Sequence, residues 1–434
     1  MHTTLIDTLS EKYLKNSWSK KELLMELFSN QELKDSIPNE IRRSTIIGNI
    51  ANQILVNIGQ DDLCKILAIG DIRYFDELHQ KWKDLVKESL SQTDISKLEG
   101  YDLSGLGSAE LRMQIRNYMS HYYDFSLLST SVEDAIVPSY GGTDSFVTIL
   151  NTLKNISKNT KINFIYPEAS FLANTKITEM ILGDDSIISL KKPEKRDFFI
   201  SLEQVQDLYR ETIRISDTNI FYITPVGNPT GNKIDSKNLS QILEGIHHLD
   251  PHAVFILDTV YVGLLINTES QLLFERIFRN TSLMERIVFT ESISKTLGTT
   301  GIRLGWTWTL NSRISNEIKK YTSLTKAGFS KILDEFALGL LGNSEIFDFQ
   351  NEVYEFWSCQ RMGFLRYLKA NFSDLFDFDS SPEITDREGI YILLKIRGDN
   401  SKEAIFAQTG IIGVGIALSD GNYIRYAFGN VNYF

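Results

Sequence analysis

The stretch FTESISKTLGTTGIRLGW, residues 289–306, places Lys295 among small residues directly after a short apolar run. A lysine ammonium in a buried turn is costly unless it is paired with a charge, or unless its nitrogen is used as the neutral amine. The same turn holds two serine hydroxyls and the guanidinium of Arg303 among glycines. Such a set can surround a phosphate and leave an amine free to react. The alternative interpretation is a plain surface turn.

Short apolar runs alternate with amphipathic helical patterns around this stretch. Those with the length and composition of strands are DAIVPSY (134–140), INFIYP (162–167), NIFYITP (219–225), AVFILDT (253–259) and RIVFTES (286–292). The alternation is typical of βαβ units, and it predicts an α/β layered fold with a mostly parallel sheet. Ligands of such sheets bind beyond the carboxyl ends of the strands.

Polar residues follow these strands at the edge where a ligand is expected. Gly141 and Gly142 open a helix whose free N–H groups suit a phosphate, although glycines there also form plain turns. Asn228 precedes a proline, and for this segment by itself a plain turn is the favoured interpretation. Asp258 ends an apolar strand, with Tyr261 three residues on. A buried carboxylate needs hydrogen bonds or a cation, and a bound cationic heterocycle would supply that charge.

The order of these motifs resembles that of a known enzyme family. The motifs are YDLSGLGSAELR (101–112), YGGTD (140–144), NPTG (228–231), DTVY (258–261), SISKTLGTTGIRLG (292–305) and YIRYAF (423–428). From about residue 101 to the end, the chain is similar to the class I/II aminotransferases, which are fold type I enzymes dependent on pyridoxal phosphate. The resemblance implies a three-layer α/β/α large domain with a mostly parallel sheet, and a smaller α+β C-terminal domain.

The resemblance also implies a role for each matching residue at the cofactor. Lys295 would hold the cofactor aldehyde as an internal aldimine, and Asp258 would pair with the protonated pyridine nitrogen. Asn228 and Tyr261 would hydrogen-bond the phenolic oxygen of the ring, and the peptide bond after Asn228 is expected to be cis. The residues expected to bind the cofactor phosphate are Gly142, Thr143, Ser292 and Arg303.

Substrate contacts and a subunit partner follow from the same resemblance. Arg425 matches the arginine that grips the substrate α-carboxylate in a two-pronged hydrogen bond. Gly70, in LAIGDIRYF, matches the glycine whose backbone closes over that carboxylate. Tyr101 matches a tyrosine that reaches across a dimer interface to the partner's cofactor phosphate. The resemblance therefore implies a homodimer with shared sites.

Three segments depart from the family pattern. The turn YPEASF has Ala169 where the family usually has the aromatic ring that stacks on the cofactor, so Phe171 is expected to take that role. The loop before Arg425 is shortened to ALSDGN. The first sixty residues carry helical patterns, as in KELLMELF and IIGNIANQILVNI, but no familiar motif. We expect them to cap the site or to lengthen the dimer interface.

The predicted function is that of a pyridoxal phosphate-dependent aminotransferase, which moves an amino group between an amino acid and a 2-oxo acid. A decarboxylase, cyclase, lyase or oxidase that acts on an amino acid in specialised metabolite biosynthesis would use the same cofactor chemistry. A DNA-binding regulator with an aminotransferase-like sensor domain is the non-enzymatic alternative, and the balanced charge of the first sixty residues opposes it. The substrate and the choice among the enzymatic reactions stay open.

The bulk properties exclude several other classes. With 434 residues, 42% of them hydrophobic, the chain is too long for a single small binding module. A formal net charge of -11 argues against binding nucleic acid or an anionic membrane through the overall field. Two distant cysteines and the lack of an apolar leader predict a cytoplasmic enzyme. The histidines of HHLDPH, at 247, 248 and 252, fit a helix end and loop better than a metal site.

The sequence divides into four expected segments. Residues 1–60 form an N-terminal helical extension, and residues 61–100 join the small domain. Residues 101–310 form the large cofactor-binding domain, and residues 311–434 form an interdomain helix and the C-terminal small domain.

Overall fold

The structure is a computed structural model, which describes residues 2–16, 18–37, 42–68, 70, 76–100, 102, 104–128, 130–192, 198–265, 267–382 and 389–428. The chain opens with the helices α1 (His2–Asn16), α2 (Lys20–Ser29), α3 (Gln31–Ser36) and α4 (Arg43–Asn57). The Ser19 and Glu22 side chains form a capping box that begins α2. The two runs with a helical pattern, KELLMELF and IIGNIANQILVNI, form α2 and most of α4, and the apolar sides of both helices are buried.

The next elements lead from the small domain to the central sheet. They are β1 (Lys65–Ile66), α5 (Asp76–Ser91) and α6 (Ala109–Met119). Ser108 caps α6 through its hydroxyl, which accepts from the backbone N–H of Leu111. The Ser108 hydroxyl also lies 2.6 Å from a carboxylate oxygen of Asp334, further along the chain.

The central sheet of the described residues has seven strands, in the order β2-β8-β7-β6-β5-β3-β4. The strands are β2 (Val137–Ser139), β3 (Ile162–Pro167), β4 (Ile187–Leu190), β5 (Thr218–Ile223), β6 (Val254–Asp258), β7 (Ile287–Ser292) and β8 (Gly305–Trp308). The pairs between β4, β3, β5, β6 and β7 are parallel. β8 runs antiparallel to both β7 and β2. The mostly parallel α/β architecture predicted from the sequence is therefore confirmed.

Helices cover both faces of this sheet. They are α7 (Gly142–Ile156), α8 (Leu172–Leu182), α9 (Leu202–Glu211), α10 (Ser236–Leu249), α11 (Asn267–Phe278), α12 (Thr281–Met284) and α13 (Ile293–Thr296). Alternate side chains of a strand point to opposite faces, so Phe255 and Leu257 enter one apolar core while Ile256 enters the other. Burial on both faces explains why the central strands are continuous apolar runs.

Two strands of the sheet were not predicted. β4 is an edge strand with half-buried side chains, so its apolar signal is weak. β8 has the sequence GWTW, in which glycine and threonine alternate with tryptophan, and it follows the glycine-rich turn. Its Trp308 ring stacks on Phe289 of β7 with a centroid distance of 4.0 Å. Tertiary packing of the two tryptophans, rather than a long apolar run, makes this segment a strand.

The C-terminal part adds helices and a second sheet. The helices α14 (Ser312–Lys326), α15 (Lys331–Leu341) and α16 (Ile346–Asn371) lead to β9 (Phe376–Asp377) and β10 (Tyr391–Ile396). Then follow α17 (Lys402–Thr409), β11 (Ile411–Ile412), β12 (Val414–Leu418) and β13 (Gly421–Ala427). An antiparallel sheet has the order β12-β13-β10-β9, while β11 pairs with β1. The apolar run IIGVGIAL, residues 411–418, is interrupted at Gly413, which separates β11 from β12.

The N-terminal helices pack onto this small domain. The Phe28 ring of α2 lies 5.2 Å from that of Phe406 in α17. Gly48 of α4 sits so close to β11 that a Cβ atom there would stand 2.8 Å from Ile412 Cδ1. Apolar residues of α2 and α4 consequently belong to the same core as those of α17 and β11. None of the described helices has the length and apolarity needed to cross a membrane.

Candidate active site

One cavity of about 620 Å³ collects the predicted site residues. It lies where β5, β6 and β7 end, and residues of β10 and β13 close it from the small domain. The predicted residues in its lining are Gly70, Gly142, Thr143, Phe171, Asn228, Asp258, Tyr261, Ser292, Lys295, Arg303 and Arg425. Tyr101 lies outside the residues that the structure describes.

Lys295 is placed by the turn between β7 and α13. Ser292 ends the strand and caps the short helix, because its hydroxyl accepts from the backbone N–H of Ser294 at 3.0 Å. Lys295 is half-buried, and its Nζ donates a hydrogen bond to the carbonyl oxygen of Gly70. Within the described part of the chain, no carboxylate forms an ion pair with Lys295. Its amine therefore lies in the cavity with a neutral partner, as a reacting amine requires.

Asp258 is a buried carboxylate at the end of β6, with 8% of the residue exposed. The Tyr222 hydroxyl donates to its Oδ2 at 2.6 Å, and Asn174 Nδ2 does so at 3.4 Å. Burial raises the pKa of Asp258 to about 6, although the hydrogen bond from Tyr222 acts in the opposite direction. Among the described residues, no cationic side chain pairs with it. A positively charged ring nitrogen in the cavity would supply the missing cation.

A second group of donors gathers at the start of α7. No side chain caps this helix of 15 residues. Gly142 and Thr143, in its first turn, line the cavity, so the unpaired N–H groups of this turn are available to a ligand there. Arg303 stands opposite, with a φ of 63° and its Nη1 donating to the Thr300 carbonyl at 3.1 Å. Gly141 makes this approach possible, because a Cβ atom there would lie 2.5 Å from Arg303 Nη2. Backbone N–H groups and a guanidinium together suit a phosphate.

The hydroxyl of Ser292 completes this group. Ser292 Oγ lies 2.7 Å from Ser294 Oγ and 2.8 Å from the Leu304 carbonyl oxygen. Both serines line the same cavity. The two hydroxyls therefore stand next to the helix start and to Lys295.

Arg425 enters the cavity from β13 of the small domain. It is 7% exposed, its Nη1 donates to Asn228 Oδ1 at 3.0 Å, and its Nη2 donates to the Ala68 carbonyl at 2.6 Å. Its Cζ lies 4.8 Å from the centre of the Tyr391 ring. Its Nε is buried and has no hydrogen-bond partner among the described residues. A buried donor without a partner is costly, and a bound carboxylate would satisfy it.

Hydrogen bonds that involve two tyrosines connect the large-domain and small-domain sides of the cavity. Asn228 Nδ2 donates to the Tyr261 hydroxyl at 3.2 Å, and that hydroxyl lies 2.9 Å from the Tyr391 hydroxyl. The peptide bond between Asn228 and Pro229 is cis, as expected. Gly70 faces the Tyr391 hydroxyl, because a Cβ atom at residue 70 would stand 2.1 Å from that oxygen. A larger residue at this position would have to displace the buried Tyr391 side chain.

Sequence reasoning missed several residues of the lining. Tyr222 lies inside the predicted strand of residues 219–225, and Tyr391 lies inside β10, so neither follows a strand end. Asn174 lies on α8, three residues after Phe171. This helical spacing, which places the two side chains on the same face, was the one signal in the sequence that could have identified Asn174. Arg42 belongs to the N-terminal segment, whose position relative to the sheet depends wholly on tertiary packing.

Comparison with known proteins agrees with this geometry. Residues 65–426 match the family model of aminotransferase class I and II. The chain therefore belongs to the class I/II aminotransferases, and it is an aminotransferase of the pyridoxal phosphate-dependent class. No curated protein sequence is significantly similar to it. Groups of side chains that could hold a metal ion are not found among the described residues.

Solved structures of the same fold resemble it at low sequence identity. An aromatic aminotransferase from Pyrococcus horikoshii has a TM-score of 0.67 at 17% identity, over 87% of this chain and 93% of that one. An archaeal alanine:glyoxylate aminotransferase has a TM-score of 0.68 at 18% identity, over 93% and 94%. An aspartate aminotransferase from Thermotoga maritima has a TM-score of 0.65 at 17% identity, over 92% and 95%. Identities this low establish the fold alone and leave the substrate open.

The residues present fit pyridoxal phosphate. The uncapped start of α7 and the guanidinium of Arg303 match a phosphate. The carboxylate of Asp258 lacks a cation within the described part of the chain, and a protonated pyridine nitrogen would be one. The amine of Lys295 in the same cavity matches an aldehyde.

Proposed function

We propose that this aminotransferase moves the amino group of an amino acid to a 2-oxo acid at the cavity around Lys295. The observation that carries the proposal is the placement of a lysine amine, a buried carboxylate and a buried arginine in one cavity. When bound, pyridoxal phosphate supplies an electron sink that eases removal of the substrate α-proton. The remaining tasks of binding, orientation and proton transfer belong to the side chains of the chain.

The cofactor contacts proposed from the sequence, apart from that of Tyr101, are supported by the presence of their residues in the cavity lining. Lys295 would hold the aldehyde, and Asp258 would hold the ring nitrogen in its protonated form. Asn228 and Tyr261, which are hydrogen-bonded to each other, would donate to the phenolic oxygen. Phe171 lines the cavity and would stack on the ring. The phosphate contacts would come from Gly142, Thr143, Ser292 and Arg303.

The substrate would be bound by Arg425 and positioned beside Lys295. The guanidinium would exchange its contacts with Asn228 and Ala68 for two hydrogen bonds to the α-carboxylate, and Gly70 would close over it. The amine of Lys295, once the substrate amino group has replaced it at the aldehyde, would be free to take the proton from the α-carbon. The Gly70 carbonyl, which holds Nζ in the structure, would orient this amine.

The test of this function must separate transfer from rival reactions of the same cofactor. Purified enzyme is incubated with single L-amino acids and a 2-oxo acid acceptor, and all products are quantified. We expect equal amounts of a new amino acid and a new 2-oxo acid, with little carbon dioxide, ammonia or hydrogen peroxide. Lys295→Ala should abolish turnover, while the fold stays intact by circular dichroism. Release of carbon dioxide or ammonia without a new amino acid would instead indicate a decarboxylase, lyase or oxidase.

We also propose a homodimer, in which Tyr101 reaches the cofactor phosphate of the partner subunit. Exposed apolar side chains on neighbouring elements support a contact face: Ile95 and Leu324 are each 76% exposed, and Ile332 is 57% exposed. The segment around Ile95 packs against α15, which carries Ile332. Such side chains cluster where a surface is covered by another subunit.

The dimer is tested by sedimentation of the double variant Ile95→Glu and Leu324→Glu. We expect the variant to sediment as a monomer and to lose cofactor affinity, because charges in an apolar interface are costly. Met180→Glu is the matched control, since Met180 is 86% exposed on α8, outside this face. A monomeric wild-type protein with full activity would contradict the shared site.

Location and segment roles complete the proposal. We propose a cytoplasmic enzyme that acts on small molecules, without nucleic acid or membrane partners. Residues 101–310 would hold the cofactor, and residues 311–434 together with 61–100 would form the linking helix and small domain. Residues 1–60 would form the helical extension of that small domain, because α2 and α4 share its core.

A further inference from the structure

Tyr391 is a buried tyrosine of the cavity to which the proposed cofactor and substrate contacts give no role. It is 2% exposed and enters the cavity from β10 of the small domain. Its hydroxyl lies 2.9 Å from that of Tyr261, and the Arg425 guanidinium carbon stands 4.8 Å from the centre of its ring. In the proposed function, on which this inference rests, Tyr261 contacts the phenolic oxygen of the cofactor.

Close backbone packing holds Tyr391 in place. The turn that follows Asn228 lies against its main chain, because a Cβ atom at Gly231 would collide with the Tyr391 carbonyl oxygen. The backbone of Gly70 covers its hydroxyl, since a Cβ atom at that position would collide with the hydroxyl oxygen. Among the described residues, the Tyr261 hydroxyl is the one hydrogen-bond partner of the Tyr391 hydroxyl. The proton of Tyr391 therefore has one acceptor within reach.

Arg425 fixes the direction of the neighbouring hydrogen bond. A guanidinium only donates, so the Arg425 Nη1 atom, 3.0 Å away, identifies Oδ1 of Asn228 as the amide oxygen. Asn228 Nδ2 lies 3.2 Å from the Tyr261 hydroxyl oxygen and must be the donor of that bond. One of the two lone pairs on the Tyr261 oxygen is thus occupied by Asn228.

The two hydroxyls can share their contact in two ways. If Tyr261 donated to Tyr391, the buried proton of Tyr391 would have no acceptor among the described residues, which is costly. If Tyr391 donates, both lone pairs of the Tyr261 oxygen are occupied. Burial raises the pKa of Tyr261 well above its usual value, so this hydroxyl keeps its own proton. Because Tyr261 lines the cavity, the second arrangement leaves that proton for a ligand there.

We propose that Tyr391 is a positioning residue, which donates to Tyr261 and so directs the Tyr261 proton to the phenolic oxygen of the cofactor. A hydroxyl that accepts two hydrogen bonds is also a stronger donor, because each bond polarises the next. The small domain, which would bind the substrate α-carboxylate through Arg425, would thereby also act on the cofactor ring.

The first experiment follows the absorbance of the cofactor-loaded enzyme as a function of pH. A hydrogen bond to the phenolic oxygen stabilises its negative charge, which lowers the pH midpoint at which the loaded enzyme releases a proton. Tyr391→Phe removes the hydroxyl and keeps the ring beside Arg425. We expect it to raise the midpoint by about 0.3 to 1 pH unit, or about two- to tenfold in proton affinity. If Tyr391 instead accepted a bond from Tyr261, its removal would free that proton and lower the midpoint.

The second experiment shows whether Tyr391 acts through Tyr261. The single variant Tyr261→Phe and the double variant Tyr261→Phe with Tyr391→Phe complete a double-mutant cycle. Tyr391→Phe should raise the midpoint in the wild-type background and leave it unchanged in the Tyr261→Phe background. Tyr423→Phe is the matched control, because this buried tyrosine of β13 donates to Asp420 Oδ2 at 3.0 Å and lies outside the cavity lining. It should keep the wild-type midpoint.

Any of four results would overturn the role of Tyr391. These are a midpoint that Tyr391→Phe lowers, a midpoint that it leaves unchanged, an equal rise in the Tyr261→Phe background, and a midpoint that Tyr261→Phe itself does not change. A protein that never acquires the absorbance of bound cofactor would overturn both this role and the proposed function. A protein that binds the cofactor without transferring amino groups would overturn the proposed function alone, and the midpoints would still decide the role of Tyr391.

Discussion

At the scale of single residues, Lys295 and Asp258 share one property that bears on the chemistry of the site, which is that neither forms an ion pair within the described residues. Lys295 has a carbonyl for a partner, and Asp258 has a phenol and an amide. Neither of them has an opposite charge among the described residues. A cofactor with an aldehyde and a protonated ring nitrogen matches both groups at once, and this match makes two residue-level predictions possible.

The first prediction concerns the hydrogen bond from Tyr222 to Asp258. This bond lowers the pKa of Asp258 against the effect of burial, so Tyr222→Phe should raise that pKa. Since the ionised carboxylate is the form that pairs with a cationic ring, the acid limb of the pH profile of kcat/KM should move to higher pH. A shift of about one pH unit corresponds to the loss of one hydrogen bond to a charged group. Asp258→Asn should lower kcat by roughly 100-fold or more at all pH values. An unchanged acid limb in Tyr222→Phe would mean that this bond does not control Asp258.

The second prediction concerns Gly141. Its φ of 89° with a ψ of 168° belongs to a region that only glycine adopts readily, and a Cβ atom would collide with the Arg303 guanidinium. Gly141→Ala should therefore lower the free energy of unfolding by about 1–3 kcal/mol and weaken cofactor binding. Thermal unfolding and cofactor titration measure the two effects. Gly183→Ala also has a positive φ, of 88°, but nothing within 4 Å of a Cβ atom, so it should affect stability alone.

At the scale of elements, β7 carries a buried acid and leads directly into the turn that holds Lys295. Glu291 is 2% exposed, and its Oε1 accepts from Trp308 Nε1 at 2.8 Å. Burial raises the pKa of Glu291 to about 8, so the side chain is protonated in the folded protein at neutral pH. The folded state thus binds a proton that the unfolded state has released, and stability falls as pH rises from about 4.5 to about 8.

Glu291→Gln should remove this pH dependence. Glutamine resembles the protonated acid in shape and carries no charge, so the variant should match the wild type near pH 5. Near pH 8.5 it should be more stable, on the order of a few kcal/mol, because no buried carboxylate forms. Thermal unfolding of both proteins at the two pH values measures the difference. Glu285→Gln, at an exposed position, is the control and should lose stability with rising pH as the wild type does. If Glu291→Gln lost as much stability between the two pH values as Glu285→Gln, the explanation would be refuted.

The elements also show which parts of the site are predictable from sequence. Lys295, Asp258 and Asn228 follow buried strands, and the carboxyl ends of parallel strands meet at one edge, so their proximity follows from the pattern. Tyr222 meets Asp258 only because β5 and β6 are neighbours in the sheet, which the sequence does not state. β8 was missed because two tryptophan contacts, rather than an apolar run, hold it in the sheet. Contacts of this kind depend on the order of strands and on packing between distant segments.

At the scale of the whole molecule, the small domain is tied to the large one by polar contacts beside the site. The Glu168 carboxylate, just after β3, accepts from the Ser419 backbone N–H and from its hydroxyl, each at 2.8 Å. Ser419 lies in the turn between β12 and β13, the shortened loop before Arg425. Lys192 pairs with the next residue, Asp420, at 2.8 Å. The shortened loop thus forms a contact between domains.

Glu168→Ala should loosen this contact without disturbing the cofactor residues. The Ser419 N–H would lose its acceptor, so hydrogen exchange in the turn between β12 and β13 should become roughly tenfold faster or more. Mass spectrometry of exchanged peptides measures the rate. Glu179→Ala is the matched control, because the one ion pair of Glu179 within the described residues is with its neighbour Lys176 on the surface of α8. Equal exchange in both variants would show that other contacts hold the turn.

The packing of α4 on the small domain has a consequence for how far the chain can be shortened. The helices α1 to α4 lie before residue 65, where the match to the family begins. The apolar sides of α2 and α4 nevertheless belong to the same core as α17 and β11. Removing these helices would expose that core to water and loosen the small domain that carries Arg425. The part of the chain that matches the family therefore depends for its packing on a segment outside that match.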